Sequence, residues 1–172
     1  MFMKLLLTTF LALTLNGIDL EKRILLDGKI EMLIPKDFRW MTEEELKIKY
    51  AQTARAPKLV LTDDSMNVNV AFSHTSSPID DVTLPMFQRK MKEIMEQTYP
   101  AAEWRSEGMK KINGKQFGYL KLIAERADKS YNYMILTELE GKLLIISFNC
   151  AERLITEWEP IAEQIMSSII VK

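Results

Sequence analysis

The chain has 172 residues, 47% of them apolar and 27% charged, with a formal net charge of −1 at pH 7. That length suits one domain with a core of its own, and the near-neutral balance provides no global basic field to draw the chain to nucleic acid or acidic membrane. A single cysteine, Cys150, and a single histidine, His74, exclude an internal disulfide, a zinc site needing two thiolates and a two-histidine metal centre within the chain.

Residues 1–17 stand apart from the rest. Lys4 precedes an uncharged apolar run from Leu5 to Leu15, then Asn16-Gly17, then the charged stretch from Asp19 to Arg23. This is the layout of a secretory signal peptide, and it is too short to span a bilayer comfortably. No small-x-small pair sits cleanly near residue 17, and no cysteine is there to carry a lipid. The division that follows is a signal peptide over 1–17 and one α+β domain over 18–172. It implies a periplasmic or secreted protein with no stable membrane span once the leader is removed. The competing placement is a buried N-terminal strand or helix of a cytoplasmic protein.

The folded part opens with two short apolar runs, 23–26 and 29–34, around Asp27-Gly28. That pair is a hairpin signal, because a type I′ turn needs positive φ at both central positions. Thr42 and Glu45 then read as a capping box, with Met41 and Leu46 as its hydrophobic staple, for a short helix to about Ala51. Two strands, 58–62 and 66–72, join through Asp63-Asp64-Ser65. In the second, Met66, Val68, Val70 and Phe72 alternate with smaller or polar residues. Residues 73–81 read as a loop by composition. Thr83 reads as the cap of a second helix, with Pro85 in its first turn and Leu84, Phe87, Met91, Ile94 and Met95 on one face.

Four strands follow, over 103–112, 115–126, 131–139 and 142–150, joined by Asn113-Gly114, Asp128-Lys129-Ser130 and Glu140-Gly141. The first is polar along much of its length, as an edge strand should be. Residues 143–148 are apolar on both faces apart from Ser147, which fits a central strand covered on both sides. Thr156-x-x-Glu159 reads as a second capping box, and Trp158, Ile161, Ile165 and Ile169 form the stripe of a last helix. The expected architecture is a three-layer α/β/α sandwich around a mostly antiparallel sheet of about six to seven strands.

This order of elements, hairpin-α-ββ-α-ββββ-α, resembles the PsbP-like fold superfamily. That group includes the PsbP subunit of photosystem II, a Ran-binding import factor, DcrB and adaptor-chaperones of type VI secretion. Gly28-Lys29-Ile30, Met32, Ile34-Pro35 and Phe38 resemble its early strand ending in Pro and an aromatic. Residues 161–171, with Ser167-Ser168-Ile169, resemble its closing helix. The resemblance covers roughly residues 20–172 and brings no shared catalytic set. It implies a role in binding other proteins without naming a partner.

Candidate chemistry is sparse. Ser73-His74 with Asp80 and Asp81 nearby could suggest a hydrolytic relay, with Thr75 as the other hydroxyl. Neighbours along a strand point to opposite faces, so His74 is poorly placed for either. Cys150 ends an apolar strand with no base nearby. Asp63-Asp64 and Asp80-Asp81 lack the spacing of a calcium loop and read as turn formers. Lys110, Lys111 and Lys115 make a small basic cluster that a solvated edge strand explains better than a phosphate patch. Trp40, Trp104 and Trp158 are too scattered for a stacking platform. Met91 and Met95 share a helix face and suit a core, or an adaptable groove. The reading is therefore no catalytic residue, no cofactor and no metal ligand. The expected partner is another protein, contacted through Ser73, His74, Thr75, Asp80 and Asp81 and through the 51–57 loop. The function expected is a non-catalytic protein-binding or accessory role in the bacterial cell envelope. A cytoplasmic adaptor-chaperone of a secretion system and a small hydrolase are the alternatives.

Overall fold

Local turn chemistry builds most of the architecture. Asp27-Gly28, Asn113-Gly114 and Glu140-Gly141 each place both residues at positive φ, between 46° and 87°. The strands flanking each pair fold back on one another, with Ile112 opposite Lys115 and Leu139 opposite Lys142. These last two are the two-residue turns expected of such pairs, whereas the first hairpin turns through four residues, Leu26 to Lys29, with Leu26 also at positive φ and Leu25 opposite Ile30.

The computed structural model describes residues 17–51, 56–125 and 128–172. The predicted leader up to residue 16 and residues 52–55 of the 51–57 loop lie outside them. In chain order the elements are β1 (Leu20–Leu25), β2 (Ile30–Pro35), β3 (Arg39–Trp40), α1 (Glu43–Lys49), β4 (Leu59–Thr62), β5 (Val68–Pro78) and α2 (Leu84–Thr98). They continue as β6 (Glu103–Ile112), β7 (Lys115–Glu125), β8 (Lys129–Leu139), β9 (Lys142–Ala151), α3 (Ile155–Ser167) and β10 (Ile170–Val171). A seven-stranded antiparallel sheet runs β3-β4-β5-β9-β8-β7-β6, and a separate three-stranded sheet runs β1-β2-β10. The central strand β9 is flanked by β5 and β8, as its two apolar faces require.

The two faces of the large sheet carry different layers. Val70, Phe72, Tyr133, Ile146 and Phe148 point toward α3 and the small sheet and form the main core. Trp158 anchors α3 there, stacking on Phe148 at 6.1 Å and tilting against Phe38 at 5.8 Å. On the opposite face α2 lies over Leu120, Leu122, Leu136 and Leu143, while α1 lies over Val60 and Ala71. The molecule is the expected α/β/α sandwich.

Several local expectations change. The 73–81 loop is mostly strand, since β5 continues to Pro78. In its outer half Ser73, Thr75 and Ser77 are half-buried and His74, Ser76 and Pro78 exposed, with a break in register between His74 and Pro78, so no apolar alternation marks it. Thr156 is not the cap of the last helix: α3 begins at Ile155 behind a short 3₁₀ turn, and Leu154 is the N-cap with no side-chain bond. The closing helix stops at Ser167, where the Ser168 hydroxyl donates to the Ile165 carbonyl at 2.7 Å and accepts the Leu33 amide at 2.8 Å. Ile170–Val171 then pairs with β2 instead of extending the helix. Thr83 precedes α2 as expected, but its hydroxyl donates to Asp80 Oδ1 at 2.7 Å and leaves the helix amides uncapped. Lys129 and Ser130, expected in a turn, open β8.

Candidate functional site

A groove opens on the α1/α2 face because the two helices cover different parts of it. Sheet register defines its floor. Asn69, Asn149 and Asn132 lie directly opposite one another across β5, β9 and β8, and Leu122 of β7 follows. The next row is Ala71, Ser147, Met134 and Leu120, and the one after is Ser73, Ile145, Leu136 and Gly118. Ser73 and Ser147, with Ala71 at the edge of the part that α1 covers, are small, so the floor sinks between the two helices. The resulting cavity is about 900 Å³, within the range of ligand sites. Phe87, Met91, Ile94 and Met95 of α2, with Tyr99 just past its end, form one wall; Tyr50 and Pro57 stand on the other side, with Thr75, Ser76 and Ser77 at one end.

The polar part of the floor is ordered from the interior outward. Buried Thr62 donates its hydroxyl to Asn69 Oδ1 at 2.8 Å, and Asn69 Nδ2 donates to Asn149 Oδ1 at 2.9 Å and to the Met66 carbonyl at 3.3 Å. Asn69 is wholly buried and is spent by these bonds. Burial pushes the Tyr50 hydroxyl up to about 12. The Asn149 carboxamide opposes that shift in part, yet Tyr50 makes no well-aligned hydrogen bond among the described residues. Among the described lining residues Lys90 is the only charged side chain, and no carboxylate is among them.

The residues singled out from sequence separate across this geometry. Ser73 and Thr75 line the groove. His74 lies between them in β5 and points to the opposite face, as strand alternation requires; its Nε2 sits 3.0 Å from the Leu139 carbonyl oxygen. Cys150 is also on the opposite face, within the main core, and burial pushes its thiol up to about 12. Asp80 closes the turn before α2 by accepting the Thr83 amide at 2.7 Å. Asp63 accepts the Val68 amide at 2.9 Å, while Asp64 turns to Arg39 at 3.3 Å, so neither aspartate pair forms a joint site. Among the described residues no group of three or more His, Cys, Asp or Glu side chains is placed to hold a metal ion.

The basic cluster disperses too. Lys110 points to the α3 side, bonded to the Tyr133 hydroxyl and lying 5.2 Å from the centre of the Tyr119 ring, whereas Lys115 pairs with Glu138 at 2.7 Å. Met91 and Met95 are only half-buried and line the groove, so the groove alternative holds for them beside the core one. Sequence reasoning missed Tyr50, Asn132 and Asn149. The only signal for the two asparagines is polarity at alternate positions of otherwise apolar strands, a signal they share with Ser147.

No protein-family model matches the chain, and no curated protein matches it. Solved structures do. Cyanobacterial PsbP (CyanoP) from Synechocystis sp. PCC 6803 superposes with a TM-score of 0.63 at 14% identity, over 92% of this chain and 96% of that one. LpqN of Mycobacterium tuberculosis, described as involved in cell envelope biogenesis, superposes at 0.55 and 13% identity, over 91% and 92% of the two chains. A Pseudomonas aeruginosa protein, PA94, described as a putative regulator of unknown function, gives 0.55 and 12%, over 89% and 97%. At these identities the likeness concerns architecture, and the order of elements, the central antiparallel sheet and its covering helices give this chain the PsbP-like fold.

Proposed function

We propose that this chain is a non-catalytic binding protein, an accessory of the bacterial cell envelope that captures a polypeptide partner in the groove between α1 and α2. The groove carries this reading: it is open, apolar on its α2 wall, neutral and polar on its floor, and lined by no nucleophile–base pair among the described residues. A binding site needs shape, desolvated apolar surface and a few oriented polar groups, and all three are supplied there. The expected contact segment also borders it, through Ser73 and Thr75 on the floor and Pro57 on the rim. The envelope placement is supported by the charged-start, apolar-middle layout of residues 1–17.

The test uses a photo-reactive residue at Ile94, on the groove wall, and another at Arg105, on β6 away from it. In envelope extract, polypeptide-sized adducts should form from position 94 and not from 105. They should vanish when Ser147→Phe fills the floor, and persist in His74→Ala and Cys150→Ser. Equal adducts from both positions would sink the groove as the contact surface. Turnover on a hydrolase panel that disappears in His74→Ala alone would favour the enzyme.

A further inference from the structure

We infer that the groove recognises the main chain of its polypeptide, holding an extended, apolar, neutral-to-acidic segment of about six residues by a donor and an acceptor set side by side on Asn149 and Asn132. The inference rests on the reading of the groove as a polypeptide site and adds what that polypeptide must be.

The two asparagines are opposite neighbours on β9 and β8, so their Cβ atoms lie about 5 Å apart on the same face. Each carboxamide has one end already committed. Asn149 Oδ1 accepts from Asn69, whose own orientation is fixed by Thr62 and Met66. Asn132 Nδ2 donates to the Ser130 carbonyl at 2.9 Å and to its hydroxyl at 3.1 Å. Beyond these bonds the Asn149 carboxamide has the Tyr50 hydroxyl beside it, without a well-aligned bond between them; among the described residues this leaves Asn149 Nδ2 as a donor and Asn132 Oδ1 as an acceptor on two residues that line the groove. In an extended chain the N–H and C=O of one residue point the same way, and a strand neighbour takes both at once. Asn149 and Asn132 offer that pair of bonds from side chains. The floor cannot offer it from its own backbone, because β5, β9 and β8 are internal strands of the sheet.

Length and charge narrow the occupant further. Along β9 the floor runs from Leu143 to Asn149, about 20 Å at the rise of a strand, which matches about six extended residues. Met91, Met95 and Met134 line the cavity, and flexible thioethers accept varied apolar side chains. Among the described residues Lys90 is the one lining charge and no carboxylate opposes it, so a neutral or acidic segment is accepted more readily than a basic one. Recognition through the main chain fixes the backbone and leaves the side-chain sequence loose.

The experiment screens a library of end-blocked hexapeptides with Leu, Met or Phe at alternate positions against the full chain, followed by an N-methyl scan of the binders. Binders should appear, and N-methylation at one internal residue should weaken them by about tenfold. Asn149→Asp, which keeps the acceptor for Asn69 and removes the groove-facing donor, should weaken them similarly, and Ser147→Phe should abolish binding. Binders lost in Ser147→Phe but indifferent to every N-methylation would overturn main-chain recognition and leave the groove as a polypeptide site. An absence of binders, or binders unaffected by Ser147→Phe, would overturn both. Sodium dodecanoate occupying the groove where no peptide does would overturn both as well, in favour of a small amphiphile.

Discussion

Glu45 shows how much one side chain can join. Its carboxylate accepts from Arg39 Nη1 and Nη2, each at 2.8 Å, and from the Thr42 amide at 2.9 Å, while its own amide donates to Thr42 Oγ1 at 3.2 Å. The capping box starts α1, and Arg39 ties it to β3. The Arg39 hydrogen bonds, helped by the Thr42 amide, hold the Glu45 carboxyl at about 2, below its ordinary 4.5. A carboxyl whose folded value is depressed stabilises the fold above its ordinary value, and that contribution is lost as pH falls toward the folded one. Glu45→Gln should therefore melt below the native chain at pH 7, and the gap should close between about pH 4.5 and pH 2. Thermal melts at stepped pH check this; a gap of constant size down to pH 2 would show that the pair adds nothing through charge. The box was legible from Thr42 and Glu45 alone, because capping is settled within one turn. Arg39 was not, since its place depends on a two-residue strand that only β4 makes possible.

The seating of α2 depends on a residue that has no side chain. A Cβ on Gly118 would lie 2.8 Å from both Cβ and Cγ of Gln88, so β7 and α2 approach closely at that point. Gln88 is buried there and donates to Glu107 Oε2 at 2.7 Å. Gly118→Ala should cost about 1–3 kcal/mol through overpacking, read by denaturant unfolding, whereas Gly17→Ala, which meets nothing, should be near neutral. A neutral Gly118→Ala would mean that α2 can lift without loss. The apolar stripe of α2 was visible at helical spacing, and so was its Pro85 start. Its tight seat was not, because nothing in the sequence tells a glycine under a helix from one in a turn. The outer half of β5 escaped for a related reason. Ser73, Thr75 and Ser77 face a groove instead of a core, so the strand carries no apolar period there.

For the whole molecule, the first described strand begins at Leu20, already paired to β2, and Ile18 before it packs against the core. If residues 1–17 are a cleaved leader, a chain beginning at Ile18 should melt at the temperature of the full chain and should fail to reach the envelope. Calorimetry and cell fractionation together check this. Insolubility, or a large fall in melting temperature, would put the leader inside the fold and favour the cytoplasmic adaptor. Among the described residues no helix is long and apolar enough to cross a membrane. The small sheet also belongs to this scale: the first hairpin was legible from Asp27-Gly28, but its third strand comes from Ile170–Val171 at the far end of the chain.

What the sequence determined by itself was local. Turn pairs with positive φ placed three hairpins, apolar periods placed most of the longer strands and two of the helices, and their order pointed to a PsbP-like sandwich. Strand alternation, a purely local rule, was enough to separate His74 from Ser73 and Thr75. Only the tertiary structure decided which polar side chains meet. Asn69 and Asn149 are 80 positions apart in the chain, and their bond exists because β9 inserts between β5 and β8 in one register. A shift of one residue would send every side chain of β9 to the other face and remove the floor of the groove. Registers of this kind are set by long-range packing of both sheet faces, which no window along the sequence contains.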